Sequence, residues 1–90
     1  METRYIRITG QVQGVFFRSF AKEIADELNI TGTAKNLTDG SVEIVAQGKK
    51  ENLDRFVSLL KEGPRMAQVE NIEEREYTGE ESFDEFLIVG

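Results

Sequence analysis

The amino-acid sequence predicts an α+β fold in which an antiparallel sheet of four to five strands carries two helices on one face. Three observations lead there. Apolar residues alternate over several short runs and recur at helical spacing in two longer ones. These runs follow one another as strand, helix, strand, strand, helix, strand, with a last strand-like run at the end. The chain has 90 residues, enough for one hydrophobic core and not for two, so a single domain over residues 1–90 is expected.

Tyr5 to Val12 reads as the first strand, with Ile6, Ile8 and Val12 on one face and Arg7, Thr9 and Gln11 on the other. Gly10 interrupts the apolar face. From Phe17 the period turns helical: Phe17, Phe20, Ala21, Ile24, Ala25 and Leu28 form one stripe, and Asn29 is a stop. Thr31 to Leu37 and Ser41 to Gln47 are strand-like and flank Asp39-Gly40, a strong hairpin signal that sets Leu37 opposite Val42. Gly48 closes the second of these strands. Leu53, Phe56, Val57 and Leu60 mark a second amphipathic helix that stops at Gly63-Pro64. Val69 to Tyr77 is a fourth strand, and the spacing from Val69 to Ile72 breaks its alternation, so a bulge is expected there. Phe83 to Val89 is a short fifth.

This order is that of a ferredoxin-like βαββαβ sandwich with one added strand. Right-handed crossovers then put the third strand between the first two, antiparallel to both. The turn after strand one and the end of strand two share one edge of the sheet, which makes Gln13 to Arg18 and Asn36 neighbours. A fifth strand running opposite to the fourth brings Gly90 to the same edge, where its carboxylate could pair with Arg18.

Composition narrows the chemistry. The chain has neither cysteine nor histidine, so thiolate ligands, thiol nucleophiles, disulfides and imidazole bases are excluded together. Carboxylates alone favour hard ions, but no spacing groups them at the glycine-turn edge. Glu43, Lys35 and the acid-rich stretch from Glu70 to Glu85 read as solvated faces, and no metal is expected. The net charge of −6 divides into +1 for residues 1–50 and −7 for residues 51–90. That balance argues against a nucleic-acid partner, whose phosphate backbone calls for many clustered cations. A single small anion needs only one well-placed cation and a few backbone donors. No apolar run approaches the roughly 18 residues of a membrane span. The N-terminus lacks an apolar signal core, so a cytoplasmic protein without a membrane partner is expected.

The candidate site lies in Gln13-Gly14-Val15-Phe16-Phe17-Arg18. A glycine turn that opens a helix points successive N–H groups into one concavity, where the helix dipole adds positive character. Arg18 at its end offers a planar fork of charged donors. The plainer alternative makes Phe16, Phe17 and Phe20 core and Arg18 a solvated cation, although a cation opposes the dipole at a helix start. Asn36 is the second candidate. Asparagine at a strand end often serves a turn, but Asp39 and Gly40 already supply one here. Its amide can both accept and donate, enough to hold a water molecule in line with a bound phosphorus.

Ile8 to Arg18 resembles the first signature of the acylphosphatase family, a Gly-x-Val-Gln-Gly-Val-x-Phe-Arg run after strand one. Gly32 to Val42, with Gly48 beyond, resembles the second. The resemblance spans essentially the whole chain. One position departs from the family pattern: the residue after Gly32 is usually aromatic and here is Thr33, which puts local packing in question more than chemistry. The resemblance implies a ferredoxin-like fold and hydrolysis of the carboxyl–phosphate bond of small acyl phosphates to a carboxylate and inorganic phosphate. It implies that Arg18 binds the phosphoryl group with the backbone N–H groups of Gln13, Gly14, Val15, Phe16, Phe17 and Arg18, that Asn36 orients the attacking water, and that no cofactor takes part. A monomer is the simplest expectation. Two rival readings are a non-catalytic module of the same family, as found fused within larger maturation proteins, and a ferredoxin-like RNA binder. The second would need exposed aromatics on its sheet and a basic surface, whereas the third strand has no aromatic residue.

Overall fold

The alternation and helical spacing resolve into seven elements in the computed structural model, which describes residues 1–90. These are β1 (Glu2–Gln11), α1 (Phe17–Glu27), β2 (Thr31–Asn36), β3 (Val42–Gly48), α2 (Lys50–Glu62), β4 (Gln68–Glu76) and β5 (Phe86–Val89). The sheet order is β4-β1-β3-β2-β5. β3 lies between β1 and β2 and is antiparallel to both, and β4 is antiparallel to β1. β5 pairs parallel to β2, so the expected antiparallel sheet is a mixed one with its last strand on the edge opposite β4. Phe86 explains the choice of edge. Its ring is fully buried and meets Phe56 of α2 edge-on, with centroids 6.1 Å apart.

Residues two apart on a strand share a face. Ile6 and Ile8 of β1, Ile44 and Ala46 of β3 and Ala34 of β2 turn to the helices, where they meet Phe17, Ala21, Ile24 and Ala25 of α1 and Leu53, Phe56, Val57 and Leu60 of α2 in one core. Thr33 falls on the other face, beside Val45 and Leu87, so the missing aromatic leaves the helix-side core untouched. Helix stops follow the sequence: Asn29 takes a left-handed φ of 55° after α1, and Gly63 caps α2.

Two details position the site. The register between β1 and β4 shifts between Thr9 and Gly10, where Glu70 is the extra residue on β4. A Cβ at Gly10 would overlap the Gln68 carbonyl oxygen, so only glycine admits this close approach. The hairpin between β2 and β3 pairs Asn36 with Val42, and the Leu37 N–H donates to the Ser41 carbonyl at 2.8 Å. Leu37 therefore does not face Val42 as expected from a two-residue turn. The loop is one residue longer, Thr38 to Gly40, because Asp39 uses its side chain on Ser41. The corrected register puts Asn36 on the same face of β2 as Ala34, toward α1.

Candidate active site

β1 ends at Gln11, and the chain passes through Val12 and Gly14 into α1 at Phe17. Gly14 has φ 75° with open space around it, and Phe16, the N-cap of α1, is also left-handed at φ 63°. This conformation disfavours a Cβ and is unusual for an aromatic residue. It splits the phenylalanines. Phe17 is 1 % exposed in the core, whereas Phe16 is 80 % exposed. The plain reading of the phenylalanines as core thus holds for Phe17 and, partly, for Phe20, but not for Phe16.

The strained turn leaves donors without acceptors. From Gln13 to Arg18 no backbone N–H donates within the turns, loops and caps, and α1 has neither a side-chain cap nor an acidic residue in its first turn. Arg18 enters none of the ion pairs. Its sole hydrogen bond runs from Nη1 to the Val89 carbonyl at 3.5 Å. Gly90 does reach this edge, as the topology predicts, but the contact to Arg18 is made by the residue before it.

Val12, Gly14, Phe16, Phe17, Arg18, Ser19, Asn36 and Ile88 line one concavity of about 270 Å³. Asn36 and Arg18, far apart in the chain, are thereby brought together. Asn36 Oδ1 is buried and has no hydrogen-bond partner, the one such side-chain atom in the protein. A buried acceptor left alone costs about 1–3 kcal/mol, so a donor is missing at this spot. Gln13 and Val15 do not line the concavity. Val15 packs against the core. Gln13 Nε2 donates to the Leu37 carbonyl at 2.7 Å and to the Ser41 carbonyl at 2.8 Å, tying the glycine turn to the hairpin that carries Asn36.

Beneath this tie, Asp39 accepts from the Ser41 N–H at 2.9 Å, from Ser41 Oγ at 2.5 Å and from Arg7 Nη2 at 2.6 Å. The Ser41 bond, then the Arg7 bond, hold the Asp39 carboxyl well below the usual carboxylate range. Reading the chain alone finds Gln13 only for its backbone and misses Ile88. Strand alternation could have shown that Ile88 shares a face with Phe86. A larger concavity, of about 770 Å³, lies at the start of β1 and the end of β4, away from these residues.

The unpaired N–H groups of the turn could receive a small tetrahedral anion. The acylphosphatase family model matches residues 4–88. The chain is 48 % identical over 81 residues to an acylphosphatase of Caldanaerobacter subterraneus subsp. tengcongensis, covering 88 % of this chain and 90 % of that one. It superposes on the crystal structure of acylphosphatase from Bacillus subtilis with a TM-score of 0.95 at 38 % identity, over 100 % of both chains. It also resembles a segment of full-length HypF in its phosphate- and nucleotide-bound form, with a TM-score of 0.90 at 33 % identity, over 99 % of this chain and 12 % of that protein. With family model, sequence and fold in agreement over nearly its whole length, the chain belongs to the acylphosphatase family.

Proposed function

We propose that the protein hydrolyses the carboxyl–phosphate bond of small acyl phosphates, giving a carboxylate and inorganic phosphate. The observation that carries this reading is that Asn36 and Arg18 line one concavity together with the turn whose N–H groups are unpaired. The phosphoryl oxygens accept from the N–H groups of the turn and from the Arg18 fork, which suits a planar, charge-spread transition state. The Asn36 side-chain amide, which lines the concavity, holds a water molecule against phosphorus.

As the water oxygen bonds to phosphorus, the bond from phosphorus to the acyl oxygen breaks and its electron pair leaves on the carboxylate. No aspartate, glutamate, lysine or histidine lines the concavity, so the water proton passes to a non-bridging phosphoryl oxygen. The products are the carboxylate and dihydrogen phosphate. The leaving carboxylate is the base of an acid of pKa about 4, so it departs without a general acid. The lining has no carboxylate to hold a divalent cation, and the reading needs no cation.

Phosphate release from acetyl phosphate, beside a simple phosphate monoester, tests the reading. Acetyl phosphate should turn over and the monoester, with its poor leaving group, should not. Asn36→Ala should lower kcat by about 10²-fold with KM near the parent value, as for loss of one preorganised hydrogen-bonding group. Arg18→Lys keeps the charge but loses the fork, so kcat/KM should fall and phosphate binding with it. Equal loss of phosphate affinity in the Asn36 and Arg18 variants would make Asn36 part of the anion cradle and refute the division of roles.

A further inference from the structure

The lining of the concavity mixes polar and apolar side chains, and Phe16, 80 % exposed, and Ile88, 40 % exposed, are its two large apolar side chains that also reach solvent. They come from different elements, one from the cap of α1 and one from β5. Neither position is explained by folding. Phe16 holds φ 63° with its ring turned out of the core that the adjacent Phe17 joins. Ile88 is on the face of β5 that Phe86 buries, so it points to the helix side rather than to the open face of the sheet. Its strand is fastened to the helix that carries Arg18: Lys22 Nζ donates to the Phe86 carbonyl at 2.9 Å, and Arg18 Nη1 to that of Val89.

Resting on the hydrolase reading above, we propose that Phe16 and Ile88 form a clamp for the acyl group and select acyl phosphates with a flat or branched apolar body, aromatic ones foremost. A phosphoryl group held by Arg18 and the turn leaves its acyl substituent to the solvent-facing part of the lining, where these two side chains stand. Arg18 is the sole charged lining residue and is committed to the phosphoryl group, so a charged acyl chain finds no partner there. A ring laid against Phe16 gains the attraction of an aromatic pair, and a methyl group does not. The two side chains set specificity, while the bond-breaking machinery stays with Arg18, Asn36 and the turn.

The test compares kcat/KM for benzoyl phosphate and acetyl phosphate in the parent, in Phe16→Asn and in Ile88→Thr. Asparagine tolerates the left-handed backbone, so the turn keeps its shape while the ring is lost. Ile88→Thr changes a side chain on an edge strand and keeps its β-branching. Each variant should lower the benzoyl-to-acetyl ratio by about three- to tenfold, the scale of one lost apolar contact in a substrate pocket. Comparing this ratio between variant and parent cancels the difference in intrinsic reactivity of the two mixed anhydrides. A ratio within about twofold of the parent in both variants overturns the clamp and leaves the hydrolase reading standing. If the parent hydrolyses neither compound, the hydrolase reading itself falls and the clamp with it. Should Phe16→Asn not fold, Ile88→Thr alone decides.

Discussion

Gln13 offers the sharpest perturbation, because its side chain joins the glycine turn to the hairpin while standing outside the concavity. Its amide nitrogen donates to two carbonyls, those of Leu37 at 2.7 Å and Ser41 at 2.8 Å. Gln13→Ala removes both bonds. Neither carbonyl is orphaned, since Leu37 still accepts from the Gly40 N–H and Ser41 from the Leu37 N–H. Two bonds at about 0.5–1.5 kcal/mol each, taken at the low end for that reason, give a loss of about 1–2 kcal/mol. In a domain of this size that lowers Tm by about 5–15 °C. Gln13→Glu separates geometry from size. Its carboxylate would face two carbonyl oxygens with nothing to donate, so folding should raise its pKa. A carboxyl raised on folding costs nothing below its ordinary range and destabilises increasingly above it. The Tm gap between Gln13→Glu and the parent should therefore widen from about pH 4 to pH 7, while that of Gln13→Ala stays constant. Thermal melts by circular dichroism across that range read the difference. If the two variants track each other at every pH, the Gln13 side chain does not face these carbonyls, and the tie between turn and hairpin is wrong.

Two further outcomes follow from the same region. Asp39 has its carboxyl depressed by Ser41 and Arg7, so its contribution is present above the ordinary carboxylate range and is lost as pH falls below it; Asp39→Asn should flatten the fall in Tm between about pH 4 and pH 2. Inorganic phosphate should stabilise the folded chain, by about 1.4 kcal/mol at ten times its Kd, and Arg18→Lys should require more phosphate for the same rise in Tm; an unchanged phosphate dependence in that variant would remove Arg18 from the cradle.

The parts of this structure that could be read from the sequence are those set by local rules. Helical spacing located both helices, and Asn29 and Gly63 stopped them where left-handed residues are favoured. The break in alternation between Val69 and Ile72 marked the bulge, whose partner Gly10 had interrupted the core face of β1. Handedness rules placed β3 between β1 and β2, and hence the turn beside Asn36. What escaped reading depends on competition between distant groups. The hairpin register hinged on Asp39 spending its side chain on Ser41, which adds one residue to the loop. The edge chosen by β5 hinged on where Phe86 finds a core partner, and either edge of the sheet was open to it. Ile88 was invisible as a site residue until that edge was known. Phe16 was ambiguous because its outward turn is a backbone decision at one residue, which hydrophobic pattern does not encode.

The departures from good folding practice in this chain gather in one place. Phe16 holds a left-handed backbone and exposes a ring, Arg18 sets a cation at a helix start with no acid to balance the dipole, and Asn36 buries an acceptor with no donor. Charges and core are well matched elsewhere: Arg4 meets Glu2, Asp54 and Glu74, and the core side of the sheet is apolar throughout β1 and β3 from Ile6 to Ile8 and from Ile44 to Ala46. Independent defects would each need a separate excuse. On the proposed reading one tetrahedral anion would balance Arg18 and the dipole and accept from the turn, and Asn36 would hold the attacking water. The exposed ring is then the part of the site that faces whatever the anion is attached to. Local conflicts that a single ligand resolves together belong to a site built around that ligand.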